Sequence, residues 1–319
     1  MPDKTAKKIL GASQLIMWTI WARGVFNSFR RELIHDLFCL NQEDSYRSKL
    51  IQRQKKYILF HLVYCRLLIA IQKRKLNNAE VKRILYFSAL APLFDDLQDN
   101  KGLILKKRDL QVLIEGNKHP KLSNTENVLA KKYISGTFNG LEQEKIRHLT
   151  RMALQFLQVN QASSAPNSEK GMLTAMMYRS LLDGKISEAE EHLVKKSGYL
   201  GQFIDDIFDY YEDRKLGLLT LATAHQNNPG LKASWSTAKR DFLDDLKVHM
   251  KNKGLEYQTI YYSFSLLLHL PYVALKQYGK FIDHKGELRH ELPRKAFICD
   301  MELLINRYRL IKIFLNSNG

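Results

Sequence analysis

Apolar residues recur three and four positions apart along almost the whole chain, the spacing that places them on one face of an α-helix. The strict alternation of a half-buried strand is hard to find anywhere. Residues 7–29 are apolar, with Trp18 and Trp21, and are interrupted by Gln14 and Arg23. They predict a first core helix, or one that lies against a membrane surface. The apolar core of this stretch is shorter than the roughly 20 residues a spanning helix needs, and no other segment could cross a bilayer. Lys7 and Lys8 precede the run, but no small-x-small cleavage site follows it. Residues 45–75 predict a long amphipathic helix, Asn77 and Asn78 a turn, and Ala79 the start of the next helix. A loop at 117–127 precedes helices near 127–136 and 140–158, and residues 161–170 form the most linker-like stretch. Helices follow at 171–183, 200–220, 231–252, 256–268, 270–282 and 295–315, with a polar loop at 284–293.

With 7 prolines and 16 glycines in 319 residues, the chain is too poor in turn formers for a β protein. The expectation is one all-α domain over residues 1–319. Cys39, Cys65 and Cys299 lie far apart without CxxC spacing, which predicts a reducing, cytoplasmic setting and neither a disulfide frame nor a zinc site. The net charge of +17 comes with no nucleic-acid-binding motif, so nucleic acid is not expected as a partner. A basic surface also favours anionic membranes and draws anionic substrates toward a pocket, although it equally suits a plain solvated exterior.

Candidate chemistry lies in two acidic runs. Residues 200–220, LGQFIDDIFDYYEDRKLGLLT, hold Asp205, Asp206, Asp209, Glu212 and Asp213, followed by Arg214, Lys215 and Gly217. On a helix Asp205, Asp209 and Asp213 form one stripe, flanked by Asp206, amid Phe203, Ile204, Ile207, Phe208 and Tyr211. Like charges four apart cost a helix roughly 0.2–0.5 kcal/mol per pair, and a cation relieves that repulsion. An all-oxygen donor set suits Mg²⁺. The second run, residues 90–100, holds Asp95, Asp96 and Asp99 on another apolar segment, with Lys106, Lys107 and Arg108 soon after. Two such helices facing each other could hold Mg²⁺ and a diphosphate. Arg179, on the apolar stretch 171–183, is a candidate to hold a diphosphate bidentately. No GxSxG, HExxH or glycine-rich phosphate loop is present.

These paired motifs resemble those of the class I isoprenoid synthases. Asp95-Asp96-Leu97-Gln98-Asp99 matches the family's DDxxD. The spacing Asp205-x3-Asp209-x2-Glu212-Asp213 looks most like the DxxxDxxED of bacterial large terpene synthases of the tetraprenyl-β-curcumene synthase type, with squalene and phytoene synthases close behind. The resemblance covers residues 80–220. It implies a single-domain helical barrel in which Asp95, Asp96, Asp99, Asp205, Asp206, Asp209 and Asp213 bind three Mg²⁺. Asp95, Asp99, Asp209 and Arg179 would carry catalysis, and Arg179, Arg214, Lys215, Arg307 and Tyr308 would hold the diphosphate of a prenyl substrate. Phe94, Phe203, Phe208 or Tyr211 could face a carbocation through their rings. A homodimer and peripheral membrane contact are further options.

Three family features are missing: an N-terminal Gly-Lys-x-Arg element, a Lys-Thr before the second motif, and an arginine pair just after the first. The Asn/Ser/Glu triad of common plant and fungal cyclases is absent too. These losses weaken a second diphosphate site and favour a one-substrate terpene synthase. A prenyltransferase, elongating or head-to-head, is the alternative enzyme. A non-catalytic diphosphate- or membrane-binding homologue is the third reading.

Overall fold

A computed structural model of the chain describes residues 4–38, 44–101, 107–161, 168–250, 255–287, 289, 292, 296–297, 299–301 and 303–317. Side chains at 38, 44, 95–101, 107, 110, 160–161 and 255–256 lie outside this description. Helix makes up 79% of the described residues, and no strand occurs among them, so the protein is all-α. The helices are α1 (Lys4–Phe38), α2 (Asp44–Ile71), α3 (Asn78–Lys101), α4 (Lys107–Ile114), α5 (Asn124–Phe138), α6 (Gln143–Gln161), α7 (Ser168–Ser180), α8 (Glu188–Phe208), α9 (Tyr210–Leu216), α10 (Asn228–Met250), α11 (Leu255–Leu267), α12 (Leu270–Tyr278) and α13 (Leu304–Asn316). None of the described helices is long and apolar enough to cross a membrane.

The chain forms two compact units, one of residues 15–157 and 177–185, the other of 1–14, 158–176 and 186–319. In the first, α3 packs against both α2 and α5. Its core includes Leu33, Leu62, Leu67, Ile84, Leu93 and Tyr133. Helix α5 starts at a capping box, in which the Ser123 hydroxyl accepts from Glu126 N and the Glu126 carboxylate accepts from Ser123 N. The Asn127 side chain binds the preceding turn, accepting from His119 N at 2.7 Å and donating to the carbonyls of His119, Leu122 and Ser123.

Fully buried Glu80 organises a polar clasp in the same unit. Its carboxylate accepts two bonds from Arg74, at 2.8 and 3.0 Å, one from Asn77 N at 2.8 Å and one from Asp183 N at 2.7 Å. Buried Arg83 closes the ring, reaching Asp183 Oδ1 at 2.6 Å and the Leu181 carbonyl at 2.7 Å. The α2–α3 turn and the chain after α7 are thereby tied together by side chains far apart in sequence.

In the second unit α8 packs against α10 and α12, and α13 against α11 and α12. Leu200, Phe203, Trp235, Phe242, Tyr278 and Phe314 lie in its core. Buried Lys8 caps α13, donating to the carbonyls of Phe314, Leu315 and Ser317 at 2.8, 3.0 and 2.6 Å. A cation there satisfies carbonyls that the helix end leaves open and complements the negative end of its dipole. Helix α13 begins at 304, not at 295 as its periodicity predicts. Ahead of it Phe297 lies in the core, where its ring stacks 4.3 Å from Tyr211 and meets Tyr278 and Phe281. Asn306 donates to the Asp300 carbonyl, which ties that residue to the helix.

Glu80→Ala would remove at once the acceptor shared by the Arg74 guanidinium and two backbone N–H groups. It should cost about 3 kcal/mol in urea unfolding followed by circular dichroism, as removal of one partner from a buried ionic network does.

Candidate functional site

The second acidic run sits where α8 ends and α9 begins. Ser187 caps α8, its hydroxyl accepting from Glu190 N, and Glu188, Glu190 and Glu191 occupy the first turn where the helix dipole favours them. The other end carries Asp205 and Asp206 with no basic residue in the last turn, which is the unfavourable polarity. At Asp209 the helix breaks: this residue, at φ −93° and ψ 2°, closes α8 and opens α9. The pitch survives, because Asp209 N donates to the Asp205 carbonyl at 3.0 Å and Asp213 N to the Asp209 carbonyl at 2.9 Å. Asp205, Asp209 and Asp213 are therefore stacked one turn apart on one face, as their spacing predicts.

Neighbours stabilise the break. The Tyr278 hydroxyl, buried on α12, donates to the carbonyls of Ile207 and Phe208, 2.9 Å from each. Asp206 is buried and serves as a tie: one oxygen accepts from Gln202 Nε2 and the other from Leu221 N, each at 2.7 Å. Gly217 ends α9 in the left-handed region at φ 69°, which glycine adopts without strain, and Leu218 N closes back on the Asp213 carbonyl at 2.8 Å. Arg214 holds the loop that follows, donating to the Tyr210 hydroxyl and the Gln226 carbonyl at 2.9 Å each.

The charges on this face oppose one another. Asp205 reaches solvent as a residue, yet burial of its carboxyl raises its pKa to about 6, with Asp209 and Asp206 adding repulsion and Lys170 opposing them. Asp213 is raised to about 6 as well, by burial first and then by Asp209 and Asp206. Burial raises Asp206, and its bonds from Gln202 and Leu221 restrain the rise. Lys170 is a cation that sequence reasoning missed. It stands beside Gly171, where α7 and α8 approach backbone to backbone: a Cβ on Gly198 would come within 2.6 Å of Ala175 Cβ. The signal for it was the pair of glycines on facing helices, invisible until the pairing is known.

The other expected residues fall as follows. Asp95, Asp96 and Asp99 belong to α3, in the other unit, and their side chains lie outside the described residues. Lys106 and Lys107 do so too, while Arg108 is exposed. Arg179, also in that other unit, is buried and donates to the Lys185 carbonyl at 3.1 Å. Lys215 is exposed in the last turn of α9. Arg307 is exposed and donates to the Met301 carbonyl at 2.9 Å, and Tyr308 is largely exposed. Of the aromatic residues, Phe203 packs edge-on to Trp235 at 5.5 Å and Tyr211 stacks on Phe297, so both serve as core.

Among the described residues no three His, Cys, Asp or Glu side chains converge on a point that could hold a metal ion. The donor chemistry of the Asp205–Asp209–Asp213 face nonetheless fits Mg²⁺, which keeps most of its waters and takes only one or two protein carboxylates. No protein-family model, curated protein or solved structure matches the chain.

Two outcomes are expected from this geometry. A carboxyl whose pKa is higher in the folded than in the unfolded state binds protons more tightly when folded, so its ionisation weakens the fold as pH rises from about 4 to about 6. The penalty remains in full above that window. Asp205→Asn/Asp213→Asn should therefore melt higher than the parent at pH 7.5 without metal, with the difference vanishing near pH 4. Tyr278→Phe should cost about 1–2 kcal/mol in the same melts, because two buried carbonyls lose their shared donor.

Proposed function

We propose that the protein is a Mg²⁺-dependent class I terpene synthase that ionises a linear prenyl diphosphate and releases a terpene hydrocarbon or alcohol. The observation that carries this reading is the register of Asp205, Asp209 and Asp213, kept on one face through a helix break that other side chains sustain. A helix breaks there at a cost, with acid at its unfavourable end, and a bound cation is the simplest compensation. The all-α architecture supports the helical barrel that this class implies.

In this reading Asp205, Asp209 and Asp213 would hold Mg²⁺, and Asp95, Asp96 and Asp99 are the further metal ligands that the resemblance implies. Bound there, Mg²⁺ would supply Lewis-acid stabilisation of the departing diphosphate. The chain's own residues orient and shield. Asp206 fixes the loop after α9 through Leu221 N, which keeps the carboxylate face ordered without spending a ligand. Arg214 is committed to the same loop through Tyr210 and Gln226. Lys215, exposed in the last turn of α9, and Lys170, whose charge acts on Asp205 and Asp206, would meet the diphosphate oxygens.

Incubation of the purified chain with Mg²⁺ and geranyl, farnesyl, geranylgeranyl or longer prenyl diphosphates, with and without isopentenyl diphosphate, tests the reading by gas chromatography–mass spectrometry. A hydrocarbon or alcohol from one substrate alone is expected. Asp95→Ala and Asp209→Ala should each lower turnover by about 100-fold or more while the far-ultraviolet spectrum is kept. Longer diphosphates formed only with isopentenyl diphosphate would make the protein a chain-elongating enzyme. Silence on every substrate, or full turnover in either variant, would end the proposal.

A further inference from the structure

Helix α1 is apolar on two faces. One is buried through Leu15, Trp18, Ala22, Phe26, Phe29 and Leu33. On the opposite side Ile9, Leu10, Ile16, Met17 and Ile20 are exposed, Met17 at 62% and Ile20 at 58%. Only Ser13 interrupts this outward stripe, which runs from 9 through 13, 16, 17 and 20 at helical spacing. Helix α13, whose C-terminal end Lys8 pins to the start of α1, repeats the character. Its Leu304, Ile305, Tyr308 and Ile311 face outward, Leu304 at 79% exposure.

The charges beside these stripes have one sign. From residue 4 to residue 31, α1 carries no acid, while Lys4, Arg23, Arg30 and Arg31 are exposed and Lys7 half-exposed. Its two acids, Glu32 and Asp36, are both engaged by Lys132 at 2.8 Å. Helix α13 has no acid at all and carries Arg307, Arg309 and Lys312. Scattered exposed apolar residues need no explanation, but a continuous apolar stripe on a helix whose exposed charges are all cationic, in a chain of net charge +17, does.

We propose that the outward face of α1 is a docking surface for an anionic lipid bilayer, with α1 lying in the headgroup plane. Apolar side chains would enter the boundary with the acyl chains while the flanking lysines and arginines meet lipid phosphates, the pattern of an interfacial helix. A second copy of the chain fits this face less well, because the pairing would bring two sets of like charges together. The inference requires nothing of the acidic face and stands whatever reaction the protein performs.

The test is cosedimentation of the full chain with vesicles of phosphatidylcholine, alone or with about one-third phosphatidylglycerol. Binding is expected to the anionic vesicles only, and it should weaken several-fold as salt rises from about 0.05 to about 0.5 M. Met17→Glu/Ile20→Glu places charge on exposed positions and should reduce partitioning about tenfold or more with an unchanged melting curve. Arg30→Glu/Arg31→Glu should remove the preference for anionic lipid. Failure of the parent chain to sediment with anionic vesicles would overturn the proposal, as would equal binding by Met17→Glu/Ile20→Glu. Light scattering that shows a dimer dissolved by that same variant would assign the face to a second copy and likewise overturn it.

Discussion

Four aspartates within nine residues repel one another, and much of the unit around α8 is arranged so that the helix carrying them still forms. Two of the four, Asp205 and Asp206, stand at the end of α8 where the helix dipole is also negative. The break at Asp209 exposes carbonyls that Tyr278 takes up from another helix. Asp206 turns its charge inward and spends it on Gln202 and Leu221 N, so a potential ligand becomes a structural tie. What remains outward is the Asp205–Asp209–Asp213 face. Repulsion is therefore concentrated where a cation could relieve it and removed where it could not.

The close approach of α7 and α8 belongs to the same arrangement. Gly171 and Gly198 let the two backbones touch, since a side chain on either would meet the partner's carbonyl. That contact sets Lys170 beside the acidic end of α8, where its charge lowers both Asp205 and Asp206. The glycines thus act on the electrostatics of the face through packing alone.

Much of this was legible along the chain. Periodicity places α2, α3, α6, α10 and α11 within a few residues, because each must bury one apolar face and that demand is local. The acidic stripe was legible for the same reason: its spacing of four is a property of the helix itself. The break within it was not, since Tyr278 reaches Ile207 and Phe208 from far along the sequence. Neither was the start of α13 at 304 or the burial of Phe297 ahead of it, where its ring stacks on Tyr211, a partner remote in sequence. Arg214 and Arg179 looked like free cations in sequence. In the fold both donate to backbone carbonyls, a use that charge and spacing cannot distinguish from ligand binding.

Helix α1 shows a different limit of periodicity. A stretch apolar all round has no preferred face, so its sequence admits a core helix and a surface helix alike. Two small features decide its rotation. Gly11 lies against Tyr262 and Ser263 of α11, where a Cβ would come within 2.5 Å of Tyr262 Cβ, and the Ser263 hydroxyl donates to the Gly11 carbonyl at 3.0 Å. Lys8, one position short of a turn earlier, is buried on the end of α13. Turning the helix to bury Ile9, Met17 and Ile20 would withdraw both contacts and bring Leu15, Trp18 and Phe26 into water. One apolar face is held inward by a glycine and a lysine, and the other must stay outward for as long as they remain engaged.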